Sequence, residues 1–153
     1  NRAKKIREMV PNVRITTDII VAFPGETQED FEDTIDVIKQ VKFDQIFNFK
    51  YSPRPNTAAF ELKDLEVADE IWSSRLIEVI DLHKDHQRKL MSLNIGKTVK
   101  VLFDSLKPNG EVGGFTDNYC QVFAKGSDEL LGKIVEVKIN DSTRTALKGE
   151  VVS

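Results

Sequence analysis

The sequence predicts an α/β segment followed by a small all-β barrel, and three observations lead to this fold class. In the first part of the chain, apolar residues follow helical and strand spacing in alternation. A long amphipathic segment then covers Val67–Leu93. After Lys97 the helical spacing disappears, and short β-type runs alternate with turns rich in glycine and asparagine. The change in pattern predicts two domains, residues 1–95 and 96–153.

The first domain is predicted to alternate helices and strands. A helix is expected over Arg2–Val10, a buried strand over Val13–Phe23, a helix over Thr27–Val41 and a strand over Gln45–Tyr51. The threonine that opens the second helix is its expected N-cap, and the neighbouring acids favour the positive end of the helix dipole. Strand, helix and strand at this spacing predict a right-handed parallel crossover.

Two loops follow the predicted strands and are candidate ligand sites. The first carries Pro24 and Gly25, and the second runs from Ser52 to Thr57 with two prolines. Because α/β folds bind ligands at the carboxyl ends of strands, both loops stand where a ligand is expected. A purely structural role fits the residues equally well. Arg54, held between prolines, should be displayed, either towards a ligand or into solvent.

The long helix has one apolar face and two histidines. That face is expected to contain Trp72, Leu76, Val79, Ile80 and His83. Arg75 is expected to point mostly away from it. His83 and His86 invite a metal interpretation, but no third ligand lies near them in sequence. A partly buried His83 and a solvated His86 are the preferred interpretation.

The second domain is expected to be a small, closed, antiparallel barrel. Strands are predicted over Thr98–Phe103, Val112–Ala124, Lys133–Ile139 and Ala146–Val152. So few short strands cannot build an open sandwich with a large core, whereas closure removes exposed edges. The pair Gly113–Gly114 within a strand pattern predicts a bulge or a sharp bend.

Composition excludes several classes of protein. A net charge of −3, with the basic residues of the barrel matched by acids, excludes binding of nucleic acid by bulk charge alone. A one-sided basic patch remains open, with Phe115 and Tyr119 either stacking on bases or filling the core. The single cysteine, Cys120, excludes an intrachain disulfide and a cysteine-ligated metal within this sequence. Without a membrane-length apolar run or a visible signal peptide, a cytoplasmic location is expected.

Four segments, in order, resemble the radical S-adenosylmethionine methylthiotransferase family. The run Thr16–Phe31, with its Asp-Ile-Ile-Val-Ala-Phe-Pro-Gly-Glu-Thr core, resembles a late strand of the family's catalytic domain, and Tyr51–Ala59 resembles the next strand end. Residues 114–118 and 147–151 resemble its C-terminal TRAM domain, an RNA-binding module. The resemblance implies the C-terminal portion of a partial TIM-like radical SAM barrel, followed by an OB-like TRAM barrel.

The proline-rich second loop most resembles the branch that acts on isopentenylated tRNA. That branch adds a methylthio group to C2 of N6-isopentenyladenosine beside the anticodon. The resemblance therefore implies S-adenosylmethionine and two [4Fe-4S] clusters as cofactors, and the tRNA anticodon stem-loop as partner. The alternatives are a branch that acts on N6-threonylcarbamoyladenosine in tRNA and a non-catalytic RNA-binding module.

The family's three-cysteine cluster motif and its N-terminal domain have no counterpart here. We therefore expect a fragment that is inactive alone, supplies no catalytic or metal-ligating residue, and works with the missing N-terminal part of the same protein. The family usually has glycine where this chain has Ala22, a change that should be tolerated if φ is negative there.

The resemblance also implies binding residues. The expected cofactor-binding residues are Thr17, Asp18, Ile20, Phe23, Pro24, Gly25 and Glu26. The expected substrate-binding residues are Tyr51, Arg54, Lys107, Thr116, Asn118, Lys125 and Arg144.

Overall fold

The computed structural model describes residues 2–152. The helices are α1 (Arg2–Met9), α2 (Gln28–Val41) and α3 (Asp69–Ser92), with 3-10 segments at Ala58–Leu65 and Asp128–Leu130. The strands are β1 (Thr16–Val21), β2 (Gln45–Lys50), β3 (Thr98–Leu106), β4 (Glu111–Phe115), β5 (Gln121–Lys125), β6 (Ile134–Ser142) and β7 (Ala146–Val151). The chain forms two compact units. The first contains residues 15–86 and the α1 segment; the second contains residues 10–14 and the chain from residue 87 onward.

The first unit is built on two parallel strands. β1 pairs with β2 in a register that sets Thr16 opposite Gln45 and Val21 opposite Lys50. Since α2 lies between these strands in sequence, the predicted parallel strand-helix-strand unit is confirmed. Its core consists of Val21, Phe31, Ile35, Ile38, Ile46 and Val79.

The start of α2 follows the sequence prediction. The Asp30 N–H donates to the Thr27 hydroxyl at 3.1 Å, and the Asp30 carboxylate accepts from the Thr27 hydroxyl at 2.7 Å and from its N–H at 2.9 Å. Thr27 is therefore the N-cap of a reciprocal capping box. These bonds, first that from the hydroxyl and then that from the backbone, hold the pKa of the exposed Asp30 carboxyl below its ordinary value of 3.8.

The expectation that β1 is a buried strand is confirmed for one of its faces only. Ile20 is 51% exposed, and Phe47 and Phe49 on β2 are 50% and 51% exposed. The helices cover one face of this two-stranded sheet, on which Val21 and Ile46 are buried. Alternation along each strand therefore leaves an open apolar face, formed by Ile20, Phe47 and Phe49.

The part of α3 that belongs to the first unit buries one residue in every four. Arg75, Val79 and His83 are 6%, 0% and 4% exposed. The prediction that Arg75 points away from the packed face is wrong, because its buried guanidinium donates a hydrogen bond to the Glu26 carboxylate. Nε2 of His83 accepts the Ile46 N–H at 3.2 Å, so this histidine ties the helix to β2.

The second unit contains a closed barrel with strand order β3-β4-β5-β7-β6. Closure is confirmed, but the barrel is not wholly antiparallel, because β5 pairs with β7 in parallel, with Gln121 opposite Ala146. The stretch predicted as one strand from Val112 to Ala124 is two strands, broken by the turn at residues 116–120. Buried core residues are Met91, Val101, Phe103, Val112, Cys120, Val122, Ala124, Val137, Ile139 and Leu147.

The predicted irregularity at the glycine pair is present, but it falls in the neighbouring strand. The β3–β4 register shifts between Phe103 and Ser105, opposite Gly113 and Gly114. A Cβ at Gly114 would lie 2.2 Å from the carbonyl oxygen of Leu102, so the strands can approach this closely only at glycine.

Within residues 2–152, no helix has the length and apolar character to cross a bilayer.

Candidate functional site

The loop after β1 is fixed by hydrogen bonds within the first unit. Gly25 has φ 84°, and its N–H donates to the Leu65 carbonyl at 2.8 Å. The Glu26 N–H donates to the Phe23 carbonyl at 2.8 Å and closes the turn. A positive φ is a conformation that glycine adopts without strain, which explains the Pro-Gly sequence of this loop.

The Glu26 side chain holds this loop from within. Its Oε2 atom accepts the Ala22 N–H at 2.8 Å and the Arg75 guanidinium at 2.6 Å. Arg75 also donates to the Glu26 carbonyl at 3.1 Å. The two side chains are only 11% and 7% exposed. Glu26 thus positions the loop through Oε2. Its predicted place among the cofactor-binding residues stays a prediction, and the sequence did not predict its pairing with Arg75.

Ala22 does not meet the condition under which the sequence predicted it to be tolerated. Its φ is 58°, in the left-handed region, and it is 5% exposed. An L-residue in this region costs roughly 1–2 kcal/mol because its Cβ approaches the neighbouring carbonyl oxygen. The hydrogen bond to Glu26 holds the residue there. The backbone is therefore strained directly before the candidate loop.

The predicted cofactor residues on β1 lie on two faces. Asp18 and Ile20 are on the open face, opposite Phe47 and Phe49 in the register. Thr17 is on the helix-covered face, where it lines a shallow depression of about 260 Å³ together with residues of α2 and Phe43. A ligand on the open face would therefore meet the side chains of Asp18 and Ile20 but not that of Thr17.

The two predicted loops come together at their strand ends. The Tyr51 N–H donates to the Val21 carbonyl at 3.1 Å, and the rings of Phe23 and Tyr51 meet edge to face at 5.2 Å. The Tyr51 hydroxyl is buried and has no hydrogen-bond partner among residues 2–152. Arg54 is exposed, as its position between prolines predicts. The unsatisfied hydroxyl is a free hydrogen-bonding group beside the loops.

In the barrel, the polar side chains of two predicted substrate residues already make hydrogen bonds within the described chain. The Thr116 hydroxyl donates to Asn118 Oδ1 at 2.6 Å and accepts the Cys120 N–H at 2.9 Å. Nδ2 of Asn118 donates to the Asn12 carbonyl at 3.0 Å. Tyr119, which follows Asn118 in sequence, is 75% exposed. The alternative in which Tyr119 fills the core is therefore wrong.

The three predicted basic residues of the barrel do not form one patch. Lys107 and Lys125 lie on either side of Glu111: the Lys107 N–H donates to the Glu111 carbonyl, and Lys125 is opposite Glu111 in β5. Arg144 lies in the β6–β7 turn and donates to Gln87 Oε1 at 2.9 Å. Lys107 Nζ is 3.5 Å from the centroid of the Phe123 ring. Its ammonium is therefore held on an aromatic surface.

The described residues do not form a metal centre. Between residues 2 and 152, no three His, Cys, Asp or Glu side chains are grouped so that they could hold a metal ion. Cys120 is buried in the barrel core, with its sulfur 3.8 Å from that of Met91. This donor set does not fit an iron–sulfur cluster.

Comparison with known proteins identifies the barrel and covers the whole chain. Residues 93–152 match the TRAM domain family. The chain is 71% identical over 153 residues to an Aliarcobacter butzleri protein, 50% over 152 residues to one from a Nitratiruptor species, and 48% over 152 residues to one from Campylobacter jejuni. Each relative is named tRNA-2-methylthio-N(6)-dimethylallyladenosine synthase. The resemblance to tRNA methylthiotransferases inferred from the sequence is confirmed.

These matches cover about 99–100% of this chain but only 35% of each relative. Among solved structures, the apo form of Mycoplasma genitalium RNase R matches 61% of the chain at 15% identity and a TM-score of 0.36, a likeness that carries no argument.

Proposed function

We propose that this chain is the part of a tRNA methylthiotransferase that contains the last strands of the S-adenosylmethionine domain, in residues 1–95, and the TRAM domain, in residues 96–153. The observation that carries the proposal is the 71% identity, over the whole chain, to a protein named for methylthiolation of dimethylallyladenosine in tRNA. The proposed reaction adds a methylthio group to C2 of N6-isopentenyladenosine next to the anticodon, in the cytoplasm.

The open sheet face supports the assignment of the first unit to a larger barrel. Parallel strands normally have both faces covered, yet Ile20, Phe47 and Phe49 are half exposed. In a partial TIM-like barrel this face would line the interior, and the loops after β1 and β2 would stand at the ligand-binding end. Further strands of such a barrel and its bound ligand would then cover the face.

The open face and the adjacent loops have features that fit S-adenosylmethionine. Ile20 offers an apolar surface for the adenine ring, and the loop from Phe23 to Glu26 offers backbone groups, with Asp18 on the same face. The buried Tyr51 hydroxyl is available to a polar group of a ligand. In such an enzyme, S-adenosylmethionine would supply the radical on one-electron reductive cleavage. This chain's part is to bind and orient the molecule, and the strained Ala22 and the Glu26–Arg75 pair set the loop's position.

The two [4Fe-4S] clusters of the proposed enzyme would be ligated outside this chain. The chain has a single cysteine, which is buried in the barrel core. We therefore propose no catalytic or metal-ligating role for any residue described above.

The tRNA anticodon stem-loop is the proposed substrate and partner. The exposed Arg54 and the neighbouring Tyr51 are proposed to face the modified nucleoside, since a guanidinium suits a phosphate or a base edge. Lys107, Lys125 and Arg144 are proposed to contact the RNA backbone from the barrel. Thr116 and Asn118 are proposed to contribute mainly by shaping their turn, because their polar groups are already bonded.

The test is a nucleoside analysis of tRNA from cells that lack the gene for this chain. We expect loss of 2-methylthio-N6-isopentenyladenosine and accumulation of its precursor without the methylthio group. Restoring the native gene should restore the product. A gene carrying Arg54→Ala should restore less of it than one carrying Arg88→Ala, an exposed arginine outside the proposed site.

Loss of the 2-methylthio form of threonylcarbamoyladenosine instead would support the alternative substrate. An unchanged nucleoside profile would support the non-catalytic RNA-binding module. Either outcome contradicts the proposed function.

A further inference from the structure

An aromatic row, formed by Phe115, Tyr119 and Phe123, lies on the outer surface of the barrel, where β4 and β5 pair. Phe115 is opposite Gln121, and Gly113 is opposite Phe123, so these residues share the strand face that points away from the core residues Val112 and Val122. Phe115, Gln121 and Phe123 are partly exposed, whereas Gly113 is buried. The Tyr119 ring stacks on Phe115 with centroids 4.6 Å apart and planes 17° from parallel. Phe115 covers one face of this ring, and the 75% exposure of Tyr119 shows that solvent reaches much of the rest.

The backbone holds Tyr119 in this display. Its φ is 63°, a left-handed conformation that is uncommon for a bulky residue. The Tyr119 N–H donates to the Thr116 carbonyl at 3.0 Å, and Arg14 Nη1 donates to the Tyr119 carbonyl at 2.6 Å. Hydrogen bonds thus hold the peptide groups before and after Tyr119. Exposing an aromatic side chain at the cost of backbone strain is a feature associated with binding sites.

A cation lies at the other end of the row. Gly113 leaves room for the Phe123 ring, because a Cβ there would come within 2.9 Å of it. Lys107 Nζ is held 3.5 Å from the centroid of that ring. Phe123 is two residues from Gln121 along β5, so the Gly113–Phe123 pair and the Phe115–Gln121 pair are roughly 7 Å apart along the strands. The ammonium is therefore within the reach of a nucleotide stacked at Tyr119.

We infer that Tyr119, backed by Phe115, is a stacking platform for an unpaired RNA base, and that Lys107 contacts the adjoining phosphate. Stacking suits this surface because the acids Glu111 and Asp117 lie close in sequence and the barrel has no excess positive charge. A base stacked on an aromatic ring contributes without bulk charge, and only an unpaired base can offer its face. The inference deepens the proposed function, on which it rests, by assigning the barrel to unpaired rather than duplex RNA.

The test measures the affinity of the full chain for a labelled single-stranded oligoadenylate and for an RNA duplex of the same length, by fluorescence anisotropy. The key variant is Tyr119→Asn, because asparagine adopts the left-handed conformation more readily than tyrosine and removes the ring without adding strain. We expect tighter binding of the single strand by the native chain and a loss of roughly 5- to 150-fold in Tyr119→Asn. Tyr119→Phe should bind like the native chain.

Two further variants control this result. Phe60→Ala, which removes an exposed ring from the first unit, should leave the affinity unchanged. Lys107→Met should weaken binding to all sequences alike and reduce the salt slope by about one. Native affinity in Tyr119→Asn, or equal binding of duplex and single strand, would overturn the inference.

Failure of this inference can be distinguished from failure of the proposed function. If the methylthio nucleoside depends on the gene but Tyr119→Asn binds like the native chain, only the platform is wrong. If binding depends on Tyr119 but the nucleoside profile does not depend on the gene, the platform stands and the methylthiotransferase assignment is wrong.

Discussion

Ala22 shows how one residue can govern the geometry of a loop. Its φ of 58° turns the chain from β1 towards Pro24 and Gly25, and the Glu26 carboxylate accepts its N–H. Alanine is the smallest residue with a Cβ, so the strain of about 1–2 kcal/mol is accepted with little steric conflict beyond the backbone itself. A larger side chain would add to this conflict.

We predict that Ala22→Val lowers the free energy of unfolding by about 2 kcal/mol or more, because a β-branched residue at positive φ is a genuine outlier. Ala22→Gly should change it by less than about 1 kcal/mol, since relief of strain is offset by a lost buried methyl group of about 0.8 kcal/mol and by the greater freedom of the unfolded chain. Urea unfolding measures both. Equal stability of the valine and glycine variants would show that φ at this position is not positive.

At the residue scale, the sequence predicts the role of a side chain when its partners are close in sequence, and fails when they are not. Arg54 is exposed and Thr27 caps α2, because both depend on neighbours in sequence. Arg75 is buried because it pairs with Glu26, 49 residues away in sequence. Tyr119 is exposed because of its unusual φ and its stacking on Phe115. Helical spacing assigns a charged residue to one face of a helix, but it does not show whether another element supplies a buried acidic partner there.

At the scale of elements, α3 is attached to the first unit by polar as well as apolar contacts. Arg75 bonds the loop after β1, and His83 accepts a backbone N–H from β2. Val79 between them is fully buried. Arg75 and His83, eight residues apart on either side of Val79, fix the orientation of α3 about its own axis. Rotating the helix about that axis would leave the buried charge of Arg75 or Glu26 without its partner.

We predict that Arg75→Met lowers the free energy of unfolding by about 3–5 kcal/mol, because Glu26 would remain buried without its cation. The double variant Arg75→Met with Glu26→Gln should recover part of the loss, since the remaining group is neutral. Lys89→Met, at an exposed position of the same helix, should change stability by no more than about 0.5 kcal/mol. Urea denaturation of the three variants is the measurement. A loss below about 1 kcal/mol in Arg75→Met would contradict the structural role of the pair.

Elements were predictable where local periodicity determines them. The three helices, both parallel strands and the closed barrel follow from apolar spacing and turn residues. The 3-10 segment at Ala58–Leu65 and the break at residues 116–120 did not, because each depends on hydrogen bonds outside the periodic pattern. The parallel β5–β7 pair also depends on the order of strands around the barrel, which spacing along the chain does not specify.

At the scale of the whole molecule, the chain combines two units with different physical characters. The first presents an open apolar sheet face and two loops at its strand ends. The second is a closed barrel with an aromatic row on its outer surface. We propose different partners for these surfaces: the remainder of an α/β barrel with a small molecule for the first, and an unpaired RNA segment for the second.

The central claim is that this chain supplies the RNA-handling third of a tRNA methylthiotransferase. It is tested most directly by replacing the matching segment of the Aliarcobacter butzleri relative, 35% of that protein, with this chain. The purified chimera would be reconstituted with its clusters, given S-adenosylmethionine and tRNA carrying isopentenyladenosine, and its nucleosides measured by mass spectrometry. We predict formation of the 2-methylthio product. A chimera that folds and retains its clusters but leaves the isopentenyladenosine unmodified would contradict the account.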